Sequence, residues 1–463
     1  MLSLHVIVLA AGQGKRMMSD LPKVAHMAAG RPLVGWVLET VSPLDPATTV
    51  VVVGHQADEV ERLLPDHVRS AVQEEQLGTG HATQVGLSVI GDIDPDDTVV
   101  VLYGDLPLLT AELVAGLARR EDGTAARLVV VEFADPTGYG RVITDAAGMV
   151  TSIVEERDTN DEQRALRDVN AGVYSFRAGD LIEALGEISN ENAQGEYYLT
   201  DVIGILADRG ERIEPVRAIP EEVVGINSQD QLAEARRLLQ ARTNKRLMDS
   251  GVWMLDPERT YVDDTVVVEP GARIYPGVHL EGSTTVGAGA QVGPDVFAVD
   301  SSIGAEATVW YAVLRGAVVG EECEVGPYAS LRPGSVLERG SKVGTFVETK
   351  NTTLGERAKA PHLTYLGDAS VGARSNIGAG TITCNYDGFE KHHTEIGQDV
   401  FVGSDTMLVA PLTIGDRAVI GAGSVITEDV AEDALAIERT EQRQIPGYAR
   451  RRAQKKAAKK SEG

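Results

Sequence analysis

The chain is short of cysteine, of positive charge and of long apolar runs, and each shortage closes off a class of protein. Its two cysteines, Cys323 and Cys384, cannot make a disulfide framework, and neither belongs to a paired metal-binding spacing. Acidic residues outnumber basic ones, 69 to 43, for a formal net charge of -26. That balance argues against a general affinity for nucleic acid or an anionic membrane, so any anion site must be a local exception. No apolar stretch approaches membrane-spanning length. The N-terminus runs straight into an apolar strand without the basic region and cleavage site of a secretory signal. A cytoplasmic protein with no nucleic-acid or membrane partner is expected.

What is present divides in two. A chain of 463 residues is too long for one ordinary core. Up to about Asn227, apolar β-rich runs at 50–53, 99–102 and 128–131 alternate with helix-like stretches at 32–40 and 84–89, the pattern of a mostly parallel sheet covered by helices. This predicts an α/β domain of Rossmann-like type over 1–228. Leu232, Ala235, Leu238, Leu239 and Leu247 then recur among charged residues, which predicts a linker helix over 229–249.

From 250 to 463 a six-residue period takes over. Val262, Val268, Ile274, Leu280, Val286 and Val292 are aliphatic, and the period returns from Val319 to Val343 and again from Ile396 to Ile426. Repeats this short predict a solenoid of very short strands and tight turns, a β-helix whose stacked coils bury an aliphatic ladder. A sandwich of short strands would instead alternate over longer runs with irregular turn spacing.

Two places carry chemistry. His5-Val6-Ile7-Val8 leads into Leu9-Ala10-Ala11-Gly12-Gln13-Gly14-Lys15-Arg16-Met17, with Pro22-Lys23 a few residues on. A buried strand feeding a glycine turn lets backbone N–H groups approach an anion, and Arg16 and Lys23 add mobile positive charge for a polyphosphate. The spacing is neither the dinucleotide nor the Walker pattern. In the second half the repeat slips phase between Ile377 and Ile396, so residues 379–388 should project as a loop. Just upstream, His362 and Tyr365 replace the small polar residues of the ladder. With Asn376 and Tyr386 they mark a second candidate site.

These motifs, with Gln76-Leu77-Gly78-Thr79-Gly80-His81-Ala82, Tyr103-Gly104-Asp105, Asp135-Pro136-Thr137-Gly138-Tyr139-Gly140-Arg141, His362-Leu363-Thr364-Tyr365-Leu366-Gly367-Asp368 and Gly380-Thr381-Ile382-Thr383-Cys384-Asn385-Tyr386-Asp387-Gly388, resemble the bacterial bifunctional enzymes that acetylate glucosamine-1-phosphate and then uridylylate it to UDP-N-acetylglucosamine, a cell-envelope precursor. The resemblance spans about 4–439. Its second-half motifs are the more specific, because many sugar nucleotidyltransferases share the N-terminal loop. It implies a left-handed parallel β-helix that forms a homotrimer; the handedness comes from the resemblance alone.

For uridylyl transfer from UTP, the resemblance implies that Arg16 sits on the departing phosphates and Lys23 on the reacting ones. Leu9, Ala10, Ala11, Gly12, Tyr103 and Gly104 complete the nucleotide site. Asp105 and Asn227 would hold Mg²⁺, since two oxygen ligands with waters and phosphate oxygens suit that hard ion. Gln73, Gly78 and Thr79 would read the uridine, and Gly140, Glu155, Asn170 and Glu196 the amino sugar. For acetyl transfer from acetyl-CoA, His362 is the implied base, with Glu348 a candidate to orient it. Arg332, Lys350, Tyr365 and Asn376 would grip the sugar phosphate. Ala379, Asn385, Tyr386, Ser404, Ala422 and Arg439 would face acetyl-CoA, in a site closed by neighbouring chains of the trimer. One departure stands out: the family usually has threonine where this chain has Lys15. Altered affinity without lost activity is expected, because the turn amides do not depend on that side chain.

Three further features have bland readings. The basic run from Arg450 to Lys460 could suggest nucleic-acid binding, but it is brief and lacks aromatics for stacking, so a solvated, mostly disordered end is expected. His392-His393 reads as a surface pair, having no further ligands nearby in sequence. The solenoid could be only an oligomerisation and regulatory platform, which His362 and the Asn385-Tyr386 loop argue against. An acetyltransferase with a degenerate first half is disfavoured by Arg16, Lys23, Asp105 and Asn227.

Overall fold

Alternate residues of the N-terminal apolar runs enter opposite faces of one sheet. The computed structural model describes residues 2–192 and 194–461, with backbone alone at Lys15 and 459–461. The Lys15 side chain, on which the expected change in affinity turns, thus lies outside the described residues. The chain divides into a unit of Met1–Arg246 with Val262–Thr265 and a unit of Leu247–Tyr261 with Val266–Gly463.

The first unit is built on a nine-stranded sheet. An inner strand, Leu4–Leu9, runs parallel to Thr48–Val53 on one side and Thr98–Tyr103 on the other, in register Ile7↔Val50 and Val8↔Leu102. Asp168–Arg177 is antiparallel to both of its long neighbours, Thr98–Tyr103 and Thr124–Glu132. Ile7, Leu9, Val50, Val52, Val99 and Val101 enter one core, with Ala82 and Ile90 of helix Thr79–Ile90. Val6, Val8, Val51, Val53, Val100 and Leu102 enter the other, with Val34, Val37 and Val41 of helix Leu33–Val41. Burial on both faces explains why these strands read as unbroken apolar runs. Helix Gln229–Asp249 follows, and its Leu232, Ala235 and Leu239 join Met17, Leu33 and Ile226 in a third, smaller core.

The second unit stacks two- to seven-residue strands in parallel. Three aliphatic ladders run up the coils: Val268, Val286, Ile303 and Val319; Ile274, Val292, Val309, Val325 and Val343; and Leu280, Ala298, Leu314 and Leu331. Every periodic aliphatic from Val262 to Ile426 named above is buried. One corner is turned by residues with positive φ that are not glycine, among them Tyr328 at 58°, Phe346 at 57° and Leu363 at 47°. Residues 385–393 leave the coil: Val371 pairs with Ile396, whereas lower in the stack Val286 pairs with Ile303. Phe389 in this excursion is 93% exposed.

The basic end differs from expectation. Tyr448–Ser461 is an α-helix, with every described side chain exposed. Alanine, arginine, lysine and glutamine are strong helix formers, and here that local preference outweighs repulsion among like charges, so the segment is solvated yet ordered. Among the described residues no helix is long and apolar enough to cross a membrane.

Candidate active sites

In the first unit, a cleft of about 380 Å³ opens at the ends of Leu4–Leu9 and Thr98–Tyr103, lined by Leu9, Ala10, Ala11, Gly12, Lys23, Gln73, Gly78, Thr79, Tyr103, Asp105 and Glu196, among others. This is the carboxyl edge of the parallel strands, where open α/β sheets hold ligands. An adjoining recess is lined by Gln13, Gly14, Arg16, Asn227, Lys23 and Gln76, and shares the last two with the cleft or its rim. Gly14 turns with φ 62°, and a Cβ there would lie 2.6 Å from the Cβ of Lys23; the turn needs glycine so that the lysine can pack beneath it. Gly104 lies against the same strand end, its N–H donating to Leu9 O at 2.9 Å.

The Lys23 ammonium donates to Asp105 Oδ2, and to Asn227 Oδ1 at 3.2 Å. Both lysine and aspartate are largely buried, with side chains 17% and 13% exposed. A carboxylate oxygen and an amide oxygen converging on one cation form a donor set suited to Mg²⁺. Among the described residues no group of three or more His, Cys, Asp or Glu could hold a metal, so an ion here would rely on waters and substrate oxygens to fill its shell.

Of the expected sugar-binding residues Glu196 lines that cleft, whereas Gly140, Glu155 and Asn170 do not and gather near Tyr103, which does. Asn170 N donates to Gly140 O at 2.8 Å, and a Cβ on Gly140 would stand 3.5 Å from the Glu155 carboxylate. Thr200 donates to Glu155 at 3.3 Å. Burial raises the Glu155 carboxyl above its ordinary range, and the nearby charges of Asp158 and Asp201 add to this against the Thr200 bond. Burial and the Glu155 charge likewise push the Tyr103 phenol up, opposed by its hydrogen bond with Thr79. Burial also raises Tyr139, with the Asp105 charge adding and Arg16 opposing. The two phenols therefore stay neutral donors at the edge of the site.

In the second unit, Arg332 donates to Glu348 Oε1 at 2.9 Å. Glu348 is thus engaged by arginine; among the described residues no bond links it to His362, so the candidate orienting role is not what the geometry displays. Tyr365 lies one coil above Glu348 in register, and Gly367 one coil above Lys350. Asp368 accepts from Asn351 at 2.7 Å and from Asn385 at 2.5 Å, which ties the excursion to the coil. Burial works to raise the Asp368 carboxyl, but these two bonds, with Lys350 and Lys391, hold it below its ordinary range. Asn376 stands in another ladder, in register with Lys359 and Phe401.

His362 is exposed at the corner next to Leu363, one coil above Thr345. Higher on this edge Asp405 N donates to Ala379 O at 2.7 Å, and Gly423 N to Ser404 O at 2.8 Å. Arg439 Nη1 then donates to Ala422 O at 2.9 Å. Ala379, Ser404, Ala422 and Arg439 therefore form a column leading up from the His362 corner, with exposed Tyr386 on the excursion, whereas Asn385 is buried there against Asp368.

Two groups escaped the sequence reading as site residues. Gln76 donates to Ala11 O at 2.8 Å and so braces the glycine turn; its place in the Gln76–Ala82 motif was the available signal. Lys391, in the excursion, lies against Lys350, and hydrogen bonding between the two amines followed by like charge holds the Lys350 pKa below its ordinary range; an anion between them would let both stay charged. His392 and His393 fasten the excursion, to Asp387 at 2.8 Å and Ser370 at 3.0 Å.

A family model described as the MobA-like NTP transferase domain matches residues 6–251. A second, the bacterial transferase hexapeptide of six repeats, matches 393–428. The chain is 48% identical over 465 residues to the bifunctional protein GlmU of Streptomyces avermitilis, covering 99% of this chain and 96% of that one. It is 49% identical over 466 residues to that of Streptomyces coelicolor, covering 99% and 96%. For the GlmU of Stutzerimonas stutzeri identity is 47% over 454 residues, covering 97% and 99%.

Proposed function

The chain belongs to the family of bifunctional GlmU proteins, and from that premise we propose how its residues divide two transfers between them. It is a nucleotidyltransferase joined to a hexapeptide acetyltransferase. It makes UDP-N-acetylglucosamine, a precursor of cell-wall polymers, by acetylating glucosamine-1-phosphate and then transferring uridylyl from UTP.

The acetyl step needs a free 2-amino group to attack the thioester carbonyl. His362 takes the proton of the attacking amine as the new N–C bond forms, and the CoA thiolate leaves as the thioester C–S bond breaks. Arg332, Lys350, Tyr365 and Asn376, now with Lys391, hold the sugar phosphate. Ala379, Asn385, Tyr386, Ser404, Ala422 and Arg439 form the wall along which acetyl-CoA lies. A single column of coil corners cannot enclose CoA, which supports a homotrimer in which a neighbouring chain closes the site.

In the second step a phosphate oxygen of N-acetylglucosamine-1-phosphate attacks the α-phosphorus of UTP in line, and pyrophosphate leaves. Positioning and charge neutralisation do most of the work. Arg16 neutralises the departing phosphates and Lys23 the reacting ones. Gln73, Gly78 and Thr79 hold the base, and Gly140, Glu155, Asn170 and Glu196 the amino sugar. Asp105 and Asn227 would hold Mg²⁺, which when bound supplies positive charge to the phosphate oxygens. The use of UTP and acetyl-CoA supports a cytoplasmic location.

The observation that carries the assignment of the nucleotide site is the convergence of Asp105 and Asn227 oxygens on one cation at the cleft rim. Pyrophosphate and thiol release measured on the same full-length variants test it. Asp105→Ala should abolish the first and spare the second. His362→Ala should cut thiol release by roughly two to four orders of magnitude while sparing uridylylation. Loss of both activities in either folded variant would refute the division of roles.

A further inference from the structure

Gln73 lines the nucleotide cleft, is 4% exposed, and is held by its backbone N–H to Val53 O at 2.8 Å. Its side-chain nitrogen has two partners: Gly78 O at 3.1 Å and His81 Nδ1 at 3.0 Å. An amide nitrogen carries two hydrogens, so both are spent on the protein. The amide oxygen has no hydrogen-bond partner among the described residues, and the side chain that carries it lines the cleft.

The reverse orientation is disfavoured by Gly78: it would set the amide oxygen against the Gly78 carbonyl, a contact between acceptors, and would need the His81 proton moved to Nδ1. Gly78 alone would leave the amide free to twist about one bond; the second acceptor fixes its plane. The histidine must then carry its proton on Nε2. His81 is well placed for this, in the first turn of helix Thr79–Ile90, whose start is pinned by Gly80 N donating to Tyr197 O at 2.8 Å.

We propose that His81 is a positioning residue that locks the Gln73 amide with its oxygen toward the nucleobase, so that the cleft selects a base presenting an N–H there. Uracil offers N3–H to that oxygen. Cytosine offers a lone pair at the same atom and is repelled, and a reversed amide would exchange these preferences. The proposal rests on the uridylyltransferase reading given above.

The test compares kcat/KM for UTP and CTP by pyrophosphate release, on the full-length protein and on His81→Ala, His81→Phe and His81→Asn. Asparagine can place its Oδ1 where the imidazole has Nδ1, which restores the acceptor without the ring. The Ala and Phe variants should lower the UTP-over-CTP ratio about ten-fold or more, because the polar match to the base is no longer enforced. Their KM for N-acetylglucosamine-1-phosphate and their acetyl transfer should be unchanged, and the Asn variant should keep most of the ratio. An unmoved ratio in Ala and Phe, equal loss of both nucleotides, or an Asn variant no better than Ala overturns the proposal alone. No turnover of UTP by the unaltered protein overturns the uridylyltransferase reading, and the proposal with it.

Discussion

The ammonium of Lys23 rests on the carboxylate of Asp105 at the rim of the nucleotide cleft. The lysine proposed to hold a phosphate is here paired with the carboxylate proposed to hold Mg²⁺, and on that proposal each must leave the other before it serves substrate. Lys23→Ala should therefore reduce uridylyl transfer by two orders of magnitude or more, on the scale of losing one preorganised charge. The same variant should bind Mg²⁺ more tightly in the absence of nucleotide, because a competing cation is gone. Calorimetric titration of the two proteins decides it: weaker Mg²⁺ binding by the variant would contradict the competition.

Two glycines of the cleft should fail in opposite ways when changed to alanine. A Cβ on Gly12 meets nothing within 4 Å, so Gly12→Ala should leave the melting temperature unchanged and raise KM for UTP by filling space the nucleotide needs. Gly78 has φ 111°, and a Cβ there would come within 2.5 Å of Tyr197 O. Gly78→Ala should lower the stability of the first unit by about 1–3 kcal/mol as well as its activity. Thermal melts beside kinetics separate the two cases.

Glu155 makes the first unit pH-sensitive in a definite direction. Its carboxyl is raised in the folded state, chiefly by burial, so the ionised form is disfavoured there relative to the unfolded chain. That cost is absent below the unfolded value, near 4.3, and is fully present once pH exceeds the raised folded value. Glu155→Gln should therefore raise the melting temperature on the order of a few degrees near neutral pH, and the gain should vanish as pH falls toward 4. The variant should bind the amino sugar less well throughout. A stabilisation that persisted at pH 4 would point to packing and not to charge.

Lys391 should behave as a phosphate-binding residue of the acetyl site. Lys391→Ala should raise KM for glucosamine-1-phosphate about ten-fold, the scale of one charge-assisted contact, with little change in KM for acetyl-CoA and none in uridylylation. Chemical-shift titration of Lys350 should show its pKa rising in this variant, since the neighbouring ammonium depresses it.

Legibility in the sequence followed the range of the physics. The runs at 50–53 and 99–102 announced the sheet because burial on both faces leaves nothing but aliphatics, and the six-residue period announced the solenoid because each coil repeats one packing problem. The glycine turn at Gly14 was equally readable, because its conformation is local: φ is 62° and a Cβ would meet Lys23. Long-range pairings were not: nothing in the spacing tells that Glu348 turns to Arg332 or that Lys391 folds back on Lys350. The tail misled because its charge suggested disorder, whereas the alanines, arginines and lysines between Tyr448 and Ser461 favour a helix at short range.

The excursion at 385–393 begins and ends on the same edge of the stack, and the strands that resume at Ile396 fall back onto the ladder below them. Such a segment could be gained, lost or exchanged in a lineage without shifting the register of any other coil. A lineage can thus rewrite Asn385, Tyr386 and Lys391, the part of the proposed acetyl site that this stretch carries, while the inherited stack beneath it stays as it was.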